Sequence, residues 1–564
     1  MKNISVIAIL LTIVLLCLEN NMVKAQERVY VSTDKDVYVA GEDLWCSVYC
    51  IDAKTSQFST ESDLAYLQFL SKEGVVATHK VALINGRGCG LFQIPLDFGT
   101  GNYSIVSYTK RDGGNAITEF NGKIITIFNT ASTKRVKDGV IVGNVVTGGS
   151  HIDKKGDILV EAGKAKDGKV RIRIENRSSE LMRLNVSVYH ADSLTNLSGS
   201  YNLTSLLDRT GAFEKVDETD YAGEVINVGV VAKDSSSCAG KFLYMSAMGS
   251  QGEVYISQIG EDGIASFKTG NIMGRRDLVF DVRESRIGVL EGGASQDTIR
   301  VYNVEVLEPV YNRMVKEIPQ LVISREMDNA LRERGRRMQI SRRFMADTLM
   351  DLWLKKDNSF AGDTPPLVYN LDDYTRFPIL EEILREYVKL ARVRKVEGKT
   401  QIKIIWGAQG SSLALVDGVP VSDHSIILGL DQQLVKQIVV YPKRYQLNHF
   451  VYDGVVNFIT YKGDMGGIRL PENVSIHSFD GASLPLAFTG TRAALDEDYP
   501  NFLSTIYWNP VVDIPAGETF EFDCILPLYS GNFKVVVEGL ADGLHIERMQ
   551  SGLHEIYTEI LLHP

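Results

Sequence analysis

The sequence predicts a mostly β protein, with small β-sandwiches in series, one small mixed α/β unit and a helical connector. From Glu27 onwards, short runs of alternating apolar and polar residues are broken by Gly, Asp and Asn at spacings of roughly 8 to 12 residues, which is typical of sandwiches. The 564 residues are too many for one hydrophobic core and favour four or five units of roughly 100 to 150 residues. Helical periodicity is confined to a middle stretch after about residue 311.

The first residues have the pattern of a signal peptide. Lys2 precedes an apolar run from Ile4 to Leu18, and Val23-Lys24-Ala25 presents small residues at a cleavage position. We expect cleavage after Ala25 and export to the periplasm, the outer membrane or the cell surface. A lipoprotein anchored through Cys17 is the weaker alternative. No later apolar segment is long enough to span a membrane, so we expect no integral membrane segment after cleavage.

Charge and cysteine content narrow the function classes. The net charge of -11 argues against nucleic acid as the main partner. Cys46 and Cys50 lie on one face of a predicted strand, about 13 Å apart, which is too far for a disulfide between them. One of them could pair with Cys89 across a sheet, or all three could be buried thiols that act as small hydrophobic residues.

The pattern of apolar and polar residues divides the chain into a series of segments. Apolar positions such as Met327, Leu331 and Met338 predict a helix from Ser324 to Leu354, and Ile379 to Val388 predict a second helix after Pro378. The predicted segments are a signal peptide (1–25), three sandwiches (26–135, 136–221 and 222–310), a basic helical connector (311–364), an α/β domain (365–465), a linker (466–500) and a C-terminal sandwich-like segment (501–564).

The motifs of common enzymes are incomplete. Gly163 to Lys169 has phosphate-loop spacing, but Val170 replaces the required Ser or Thr and a strand pattern follows where a helix should begin. His554-Glu555 lacks the second histidine of a zinc-protease motif, because Thr558 stands in its place. We therefore predict no catalytic residues, no cofactor and no metal site. The arginine run of the connector favours a solvated basic linker; its members are Arg332, Arg334, Arg336, Arg337, Arg342 and Arg343.

The N-terminal segment resembles a macroglobulin-type (MG) domain. The resemblance rests on Thr33-Asp34-Lys35-Asp36-Val37-Tyr38-Val39-Ala40-Gly41-Glu42 and on Gly101-Asn102-Tyr103, and it covers about the first 110 residues after the signal. Alpha-macroglobulins trap proteases with an internal thioester. Gly88-Cys89-Gly90 lacks the Glu-Gln that must follow, so the resemblance implies no thioester chemistry.

A second resemblance is to the plug domain of TonB-dependent outer-membrane receptors. It rests on Leu415 to Val421, Gln437 to Val440 and Gly454 to Lys462. In such plugs the Asp-Gly pair makes a hairpin turn, and the later Gly and Asn bend the last strand. Only about 100 residues follow Lys462, too few for about 22 strands of ~10 residues, so we expect a plug-like module without its barrel. The structural or interaction residues implied are Asp417, Gly418, Pro420, Gly454 and Asn457.

Together the resemblances imply a bacterial envelope protein with serial Ig-like or macroglobulin-like β-sandwiches, an inserted plug-like α/β domain and a helical connector. The leading hypothesis is a non-catalytic scaffold that binds envelope or outer-membrane proteins of the TonB-dependent receptor type. The alternative is a macroglobulin-like, protease-interacting protein without a thioester, whose bait would be a loop such as Ser193 to Asp220. A hydrolase whose site is assembled from distant residues is a third reading. The sequence leaves the oligomeric state open.

Overall fold

The structure is a computed structural model that describes most of the chain outside its N-terminal segment. Of the predicted signal peptide only Val23–Lys24 is described, so the predicted cleavage lies outside these residues, as does most of the predicted bait loop. The described ranges are 23–24, 27–52, 55, 57–112, 122–131, 140–142, 157–163, 169–195, 212–213, 220–250, 252–270, 272–283, 301–307, 318–350, 365–396, 398–406, 410–447, 450–484, 502–525, 531–545 and 550–562.

The chain forms two compact units, each built from segments distant in sequence. Unit 1 comprises Met1–Gly223, Val310–Leu354 and Ala482–Pro564, and unit 2 comprises Glu224–Pro309 and Lys355–Gly481. Strands are numbered in chain order. Those of unit 1 are Val23–Lys24 (β1), Glu27–Thr33 (β2), Val37–Val39 (β3), Asp43–Asp52 (β4), Leu64–Ser71 (β5), Gly74–Ala82 (β6), Arg87–Gln93 (β7), Gly101–Tyr108 (β8), Lys123–Phe128 (β9), Val140–Val142 (β10), Ile158–Ala162 (β11), Lys169–Asn176 (β12), Leu181–Ala191 (β13), Ala212–Phe213 (β14), Leu321–Ile323 (β21), Thr505–Ile514 (β30), Thr519–Ile525 (β31), Asn532–His545 (β32) and Gln550–Leu562 (β33).

The strands of unit 2 fall between and around these in the chain. They are Val225–Ala232 (β15), Phe242–Ala247 (β16), Glu253–Gln258 (β17), Ile264–Lys268 (β18), Arg275–Arg283 (β19), Tyr302–Leu307 (β20), Leu367–Asn370 (β22), Ala391–Val396 (β23), Lys399–Ile404 (β24), Leu413–Val416 (β25), Val419–Pro420 (β26), Val435–Leu447 (β27), Phe450–Thr460 (β28) and Val474–Asp480 (β29).

The N-terminal segment of unit 1 is a β-sandwich, in agreement with the alternating pattern of its sequence. Its two sheets have the strand orders β2-β4-β7 and β3-β9-β8-β5-β6. Alternate residues such as Val31, Leu44, Phe69 and Ile105 are fully buried between the sheets, because successive side chains of a strand point to opposite faces.

The cysteines of this sandwich are free, buried thiols. Cys46 and Cys50 face the hydrophobic core, whereas Cys89 is paired in register with Ser47. Residues directly opposite each other share a face of the sheet, so Cys89 projects from the other face than Cys46 and Cys50. The alternative of buried thiols therefore describes this structure, and burial raises the pKa of the Cys89 thiol to about 11.

The second sandwich combines two segments that the sequence analysis treated as separate units. Its sheets have the orders β11-β12-β31 and β30-β13-β32-β33, so strands from 136–221 and 501–564 alternate within them. The core includes Val186, Ile172, Val512 and Val535. Apolar alternation shows that β13 is a strand, but it does not identify the distant strands β30 and β32 that pair with both of its edges.

A long helix, Asp328–Met350, belongs to unit 1. The predicted solvation of the arginine run is wrong for Arg334, which is buried and binds the Asp192 carboxylate with two guanidinium nitrogens, at 2.6 and 2.7 Å. A third nitrogen of Arg334 donates to the Val37 carbonyl at 2.9 Å. A Cβ at Gly335 would lie 2.6 Å from the Thr130 hydroxyl, so glycine permits this close approach of the helix backbone.

Unit 2 begins with the third sandwich, whose sheets have the orders β18-β15-β20 and β17-β16-β19-β29. Phe267, Leu243 and Phe280 lie in its core. Strand β29 comes from the predicted linker 466–500 and pairs with β19 from Arg275 to Asp281. This part of the predicted linker is thus a strand of the third sandwich.

The rest of unit 2 is the predicted mixed α/β domain. Its sheet has the order β22-β27-β28-β25-β26, in which β25 and β28 are parallel, and β23 and β24 form a separate hairpin. The second predicted helix is present at Leu380–Glu386, with Leu380, Ile383 and Leu384 buried. Two further short elements are the helix His424–Leu428, capped by Asp423, and the 3-10 turn Gln432–Leu434.

The structure confirms the predicted fold class, a mostly β chain of sandwiches with a small α/β domain and one long helix. No helix among the described residues is both long and apolar enough to span a membrane.

Candidate functional site

The Asp-Gly turn of the plug-like motif is a buried hairpin turn in unit 2. Asp417 and Gly418 have φ values of 47° and 80°, as a type I′ turn requires. The Asp417 carboxylate accepts hydrogen bonds from the Thr460 amide at 2.8 Å and hydroxyl at 2.6 Å, and from the Met465 amide at 2.8 Å. These contacts use both carboxylate oxygens, so Asp417 fixes the turn against the end of β28.

The later glycine and asparagine of the motif are also structural. Asn457 accepts a hydrogen bond from the Gly418 amide at 3.1 Å and donates to the Ser250 carbonyl at 3.3 Å. Gly454 has a φ of 97°, and a Cβ there would lie 2.5 Å from the Cβ of Ile404. The interior of unit 2 therefore contains four of the five motif residues, in positions that a ligand does not reach.

Pro420, the fifth residue, differs because it lines an open groove. The floor of the groove is the outer face of the third sandwich, where Tyr244 is opposite Asp281 and Ser246 is opposite Val279. On the same face, Val474 and Ile476 of β29 follow as the partners of Asp281 and Val279. Tyr244, Ser246, Val279 and Asp281 are buried on this face, whereas Ile476 on β29 is 49% exposed.

The α/β domain covers part of the same face. Tyr244, Val254 and Ile256 pack with Leu415 and Tyr441, among other apolar residues of β25, β27 and β28. Partial cover of one sheet face by a second domain is what creates the groove. Its volume is about 230 Å³, and it is lined by Tyr244, Ser246, Val279, Asp281, Arg283, Val419, Pro420, Val421, Ser422, Asp423, Ile426, Ile468, Arg469, Leu470, Pro471 and Val474.

The charged groups of the groove are gathered around one buried carboxylate. Asp281 accepts hydrogen bonds from Arg283 at 2.8 Å and from the Asn473 amide nitrogen at 2.7 Å. Burial raises the pKa of Asp281, and the neighbouring Arg283 opposes that shift. The Arg283 side chain keeps 29% of its surface exposed, so it can meet a polar group of a bound molecule.

The polar groups of the groove are two serines, two aspartates and two arginines. The lining contains neither histidine nor cysteine, and the part of the chain that the structure describes holds no cluster of three potential metal ligands. Asp423 accepts hydrogen bonds from the Ser425 amide and hydroxyl as the cap of the helix His424–Leu428.

A second polar cluster, in unit 1, contains the MG-like motif. Asp34 is fully buried and accepts hydrogen bonds from the Tyr38 hydroxyl at 2.7 Å, the Trp45 amide at 3.1 Å and the Thr505 hydroxyl. Lys35 donates to the Ser504 hydroxyl at 2.6 Å. The motif thereby fixes the N-terminal sandwich to the start of β30, and the adjoining cavity of about 70 Å³ is too small for more than a few water molecules.

Comparisons with known proteins give no family assignment. No family model matches the chain, and no curated protein matches it either. Alignments to solved structures include Escherichia coli alpha-2-macroglobulin in its native conformation, at 7% identity, and methylamine-reacted Salmonella alpha-2-macroglobulin, at 8% identity; each has a TM-score of 0.22 and covers 95% of this chain and 40% of the other. Trypsin-activated Escherichia coli alpha-2-macroglobulin aligns with 8% identity, the same TM-score and 42% of its own length covered.

The chain thus spans about two fifths of the length of these solved structures. A TM-score of 0.22 is too low to establish a common arrangement of the domains or a common function.

Proposed function

We propose that this chain is a non-catalytic binding protein of the cell envelope whose groove in unit 2 holds an extended polypeptide segment. The observation that carries the proposal is the groove itself, beside which two isoleucines are exposed. Ile426 on its wall is 42% exposed, and Ile476, the partner of the floor residue Val279 in the sheet, is 49% exposed. Removing one such side chain from water is worth roughly 1.5 to 3 kcal/mol to a complex.

The dimensions of the groove favour a polypeptide over a free small molecule. Pockets that enclose small ligands have volumes of roughly 300 to 1,000 Å³, whereas this groove offers about 230 Å³. Such a space fits one or two apolar side chains of a larger partner.

The edge of the sheet supplies the main-chain contacts that an extended segment needs. Among the described strands, β29 pairs with β19 alone in its sheet, and we propose that its outer edge accepts an additional strand. Addition of a peptide strand to an exposed edge combines backbone hydrogen bonds with pockets for alternate side chains. The groove would then select the apolar side chains of the added strand.

The partner we propose is an outer-membrane protein of the TonB-dependent receptor type. The support is in the sequence: the N-terminal pattern predicts export, and the segment from Leu415 to Lys462 resembles the plug of such receptors. In unit 2 this plug-like segment supplies one wall of the groove through Val419, Pro420 and Val421.

Site-specific crosslinking tests this proposal. A photoreactive phenylalanine analogue at Ile426 should capture an outer-membrane protein in intact envelopes, and Ile476→Glu should lower the yield roughly tenfold or more by opposing apolar burial. The matched control is Val231, which is 62% exposed on the other sheet of the third sandwich. Equal capture from both positions, or capture of no outer-membrane protein, would reject the groove as the binding site.

A second candidate is a macroglobulin-like, protease-interacting protein without a thioester. It is favoured by the MG-like motif from Thr33 to Glu42, whose residues Asp34 and Tyr38 belong to the Asp34 cluster. Cys89 is buried in the middle of β7, opposite Ser47, which fits the absence of thioester chemistry.

Limited proteolysis distinguishes the second candidate from the first. A bait mechanism requires a first cut within residues 193–220, followed by a change of shape that retains the protease. We expect gradual trimming at several connecting segments without retention, as for a binding scaffold. Co-elution of an intact protease with the chain cut once would support the bait mechanism over the binding scaffold.

A further inference from the structure

The hairpin formed by β23 and β24 in unit 2 has one face that carries only cations and neutral residues. In its antiparallel register, Arg392 is opposite Lys403, Arg394 is opposite Gln401, and Val396 is opposite Lys399. Opposite residues share a face of the ribbon, so these six side chains lie together. Arg392, Arg394 and Lys399 are exposed and Lys403 is half-buried.

The other face of the hairpin explains why this one is free. Ala391, Ile402 and Ile404 are buried in the core of the α/β domain, with Val393 packed against them. The apolar face thus anchors the hairpin, and the basic face, formed by Arg392, Arg394, Lys399 and Lys403, is held towards solvent by the strict alternation of both strands.

The four cations are not neutralised by the rest of the described chain. Within those residues, none of the four takes part in an ion pair with a carboxylate, and the Arg392 guanidinium donates only to the carbonyls of Val388 and Ala391. This is unusual in a chain with a net charge of -11, where carboxylates are in excess. An unneutralised cluster of this kind fits an anionic surface.

An exposed apolar side chain continues the same face, and an exposed tryptophan follows it in the chain. The Ile405 amide donates to the Leu390 carbonyl at 2.8 Å, so the ladder extends by one pair and Ile405 falls on the face of Lys403. Ile405 is 45% exposed, and Trp406 next to it is 36% exposed. Tryptophan beside cations is typical of contacts with the headgroup region of a membrane.

We propose that the basic face of the hairpin, with Ile405 and Trp406, docks the protein on a membrane surface of anionic phospholipids. The cations would contact lipid phosphates while the two apolar side chains enter the headgroup region. This inference is independent of the groove and of its polypeptide partner, and it requires no membrane-spanning segment.

Vesicle co-sedimentation of the full chain tests the docking. Binding to phosphatidylcholine vesicles that contain phosphatidylglycerol should be measurable, and it should fall at high salt because the charges are screened. The Arg392→Gln/Arg394→Gln variant should bind roughly 30-fold more weakly, at about fivefold for each cation removed from an anionic surface. Trp406→Phe should reduce the fluorescence change that accompanies binding.

A matched control removes the same charge elsewhere. Arg332 and Arg336 are exposed and paired with Asp328 and Glu333 on the long helix, so Arg332→Gln/Arg336→Gln should bind within about twofold of the parent chain. Ile476→Glu should also leave vesicle binding unchanged while it impairs capture of a polypeptide, which separates failure of this inference from failure of the proposed function.

Four results would overturn the docking. They are equal binding of the hairpin variant, equal binding to vesicles of phosphatidylcholine alone, absence of vesicle binding, and competition by millimolar glycerol phosphate at constant ionic strength, which would assign the site to a free phosphate. Binding to soluble polyglutamate without binding to vesicles would assign the face to an acidic protein. Thermal unfolding of the variant confirms that it is folded, because exposed cations contribute little to stability.

Discussion

Two arginine-rich segments of the molecule have opposite environments. In the helix Asp328–Met350, the first three arginines each meet a carboxylate, and Arg334 is buried in the process. In the hairpin of β23 and β24, the cations meet no carboxylate among the described residues and face solvent. The comparison teaches that pairing and burial, rather than the number of cations in a run, separate a structural segment from a binding surface.

The largest expected effect is at Arg334, because it is the buried member of the comparison. Arg334→Ala removes both guanidinium donors of the Asp192 carboxylate, which keeps only the Leu194 amide among those named for it, and it removes the guanidinium donor of the Val37 carbonyl. Breaking a buried ion pair in this way typically costs 3 to 5 kcal/mol, so we expect unit 1 to unfold at a lower denaturant concentration. Chemical denaturation followed by tryptophan fluorescence measures the shift.

Arg332→Ala is the matched control for Arg334. Arg332 lies on the same helix and pairs with Asp328 at 2.9 Å, but its side chain is 73% exposed. Surface pairs of this kind contribute about 0.5 kcal/mol or less. Similar destabilisation by both substitutions would contradict the distinction between buried and exposed arginines.

The sequence predicts the helix better than it predicts the environment of its arginines. The periodicity of Met327, Leu331 and Met338 was sufficient to predict the helix, and Met327 and Met338 are buried. The burial of Arg334 could not be predicted, because Asp192 lies about 140 residues earlier and no local pattern connects the two. The prediction of a solvated linker treated every arginine of the run alike.

The basic hairpin was missed although a local signal exists. Ala391-Arg392-Val393-Arg394 and Gln401-Ile402-Lys403-Ile404 alternate with a period of two, and the glycine at 398 falls between them, as in a hairpin. The groove differs, since it arises where β29 joins a sheet begun some 200 residues earlier. Alternation predicts strands, but only tertiary structure decides which half of a sheet face stays open.

A smaller effect, a pH dependence of stability, is expected beside the buried pair of Arg334 and Asp192. His190 Nδ1 lies 3.9 Å from Asp192, and burial, reinforced by Arg337, lowers the pKa of His190 to about 4. The unfolded chain has a histidine pKa near 6.5 and therefore binds more protons than the folded chain between about pH 6.5 and 4. Stability associated with His190 is thus present above pH 6.5 and is lost as the pH falls through this window.

Between pH 7 and pH 4, we expect the free energy of unfolding of the His190→Gln variant to fall by about 1 to 3 kcal/mol less than that of the parent chain. The thermal midpoints of the two proteins, measured across this pH range, give this difference. Contributions from the other titrating groups are common to both proteins and cancel when the midpoints are subtracted. Identical pH profiles would show that His190 does not resist protonation next to Arg334. The corresponding glutamine substitutions in the basic hairpin should leave the profile unchanged, because charges that face solvent are already hydrated before unfolding.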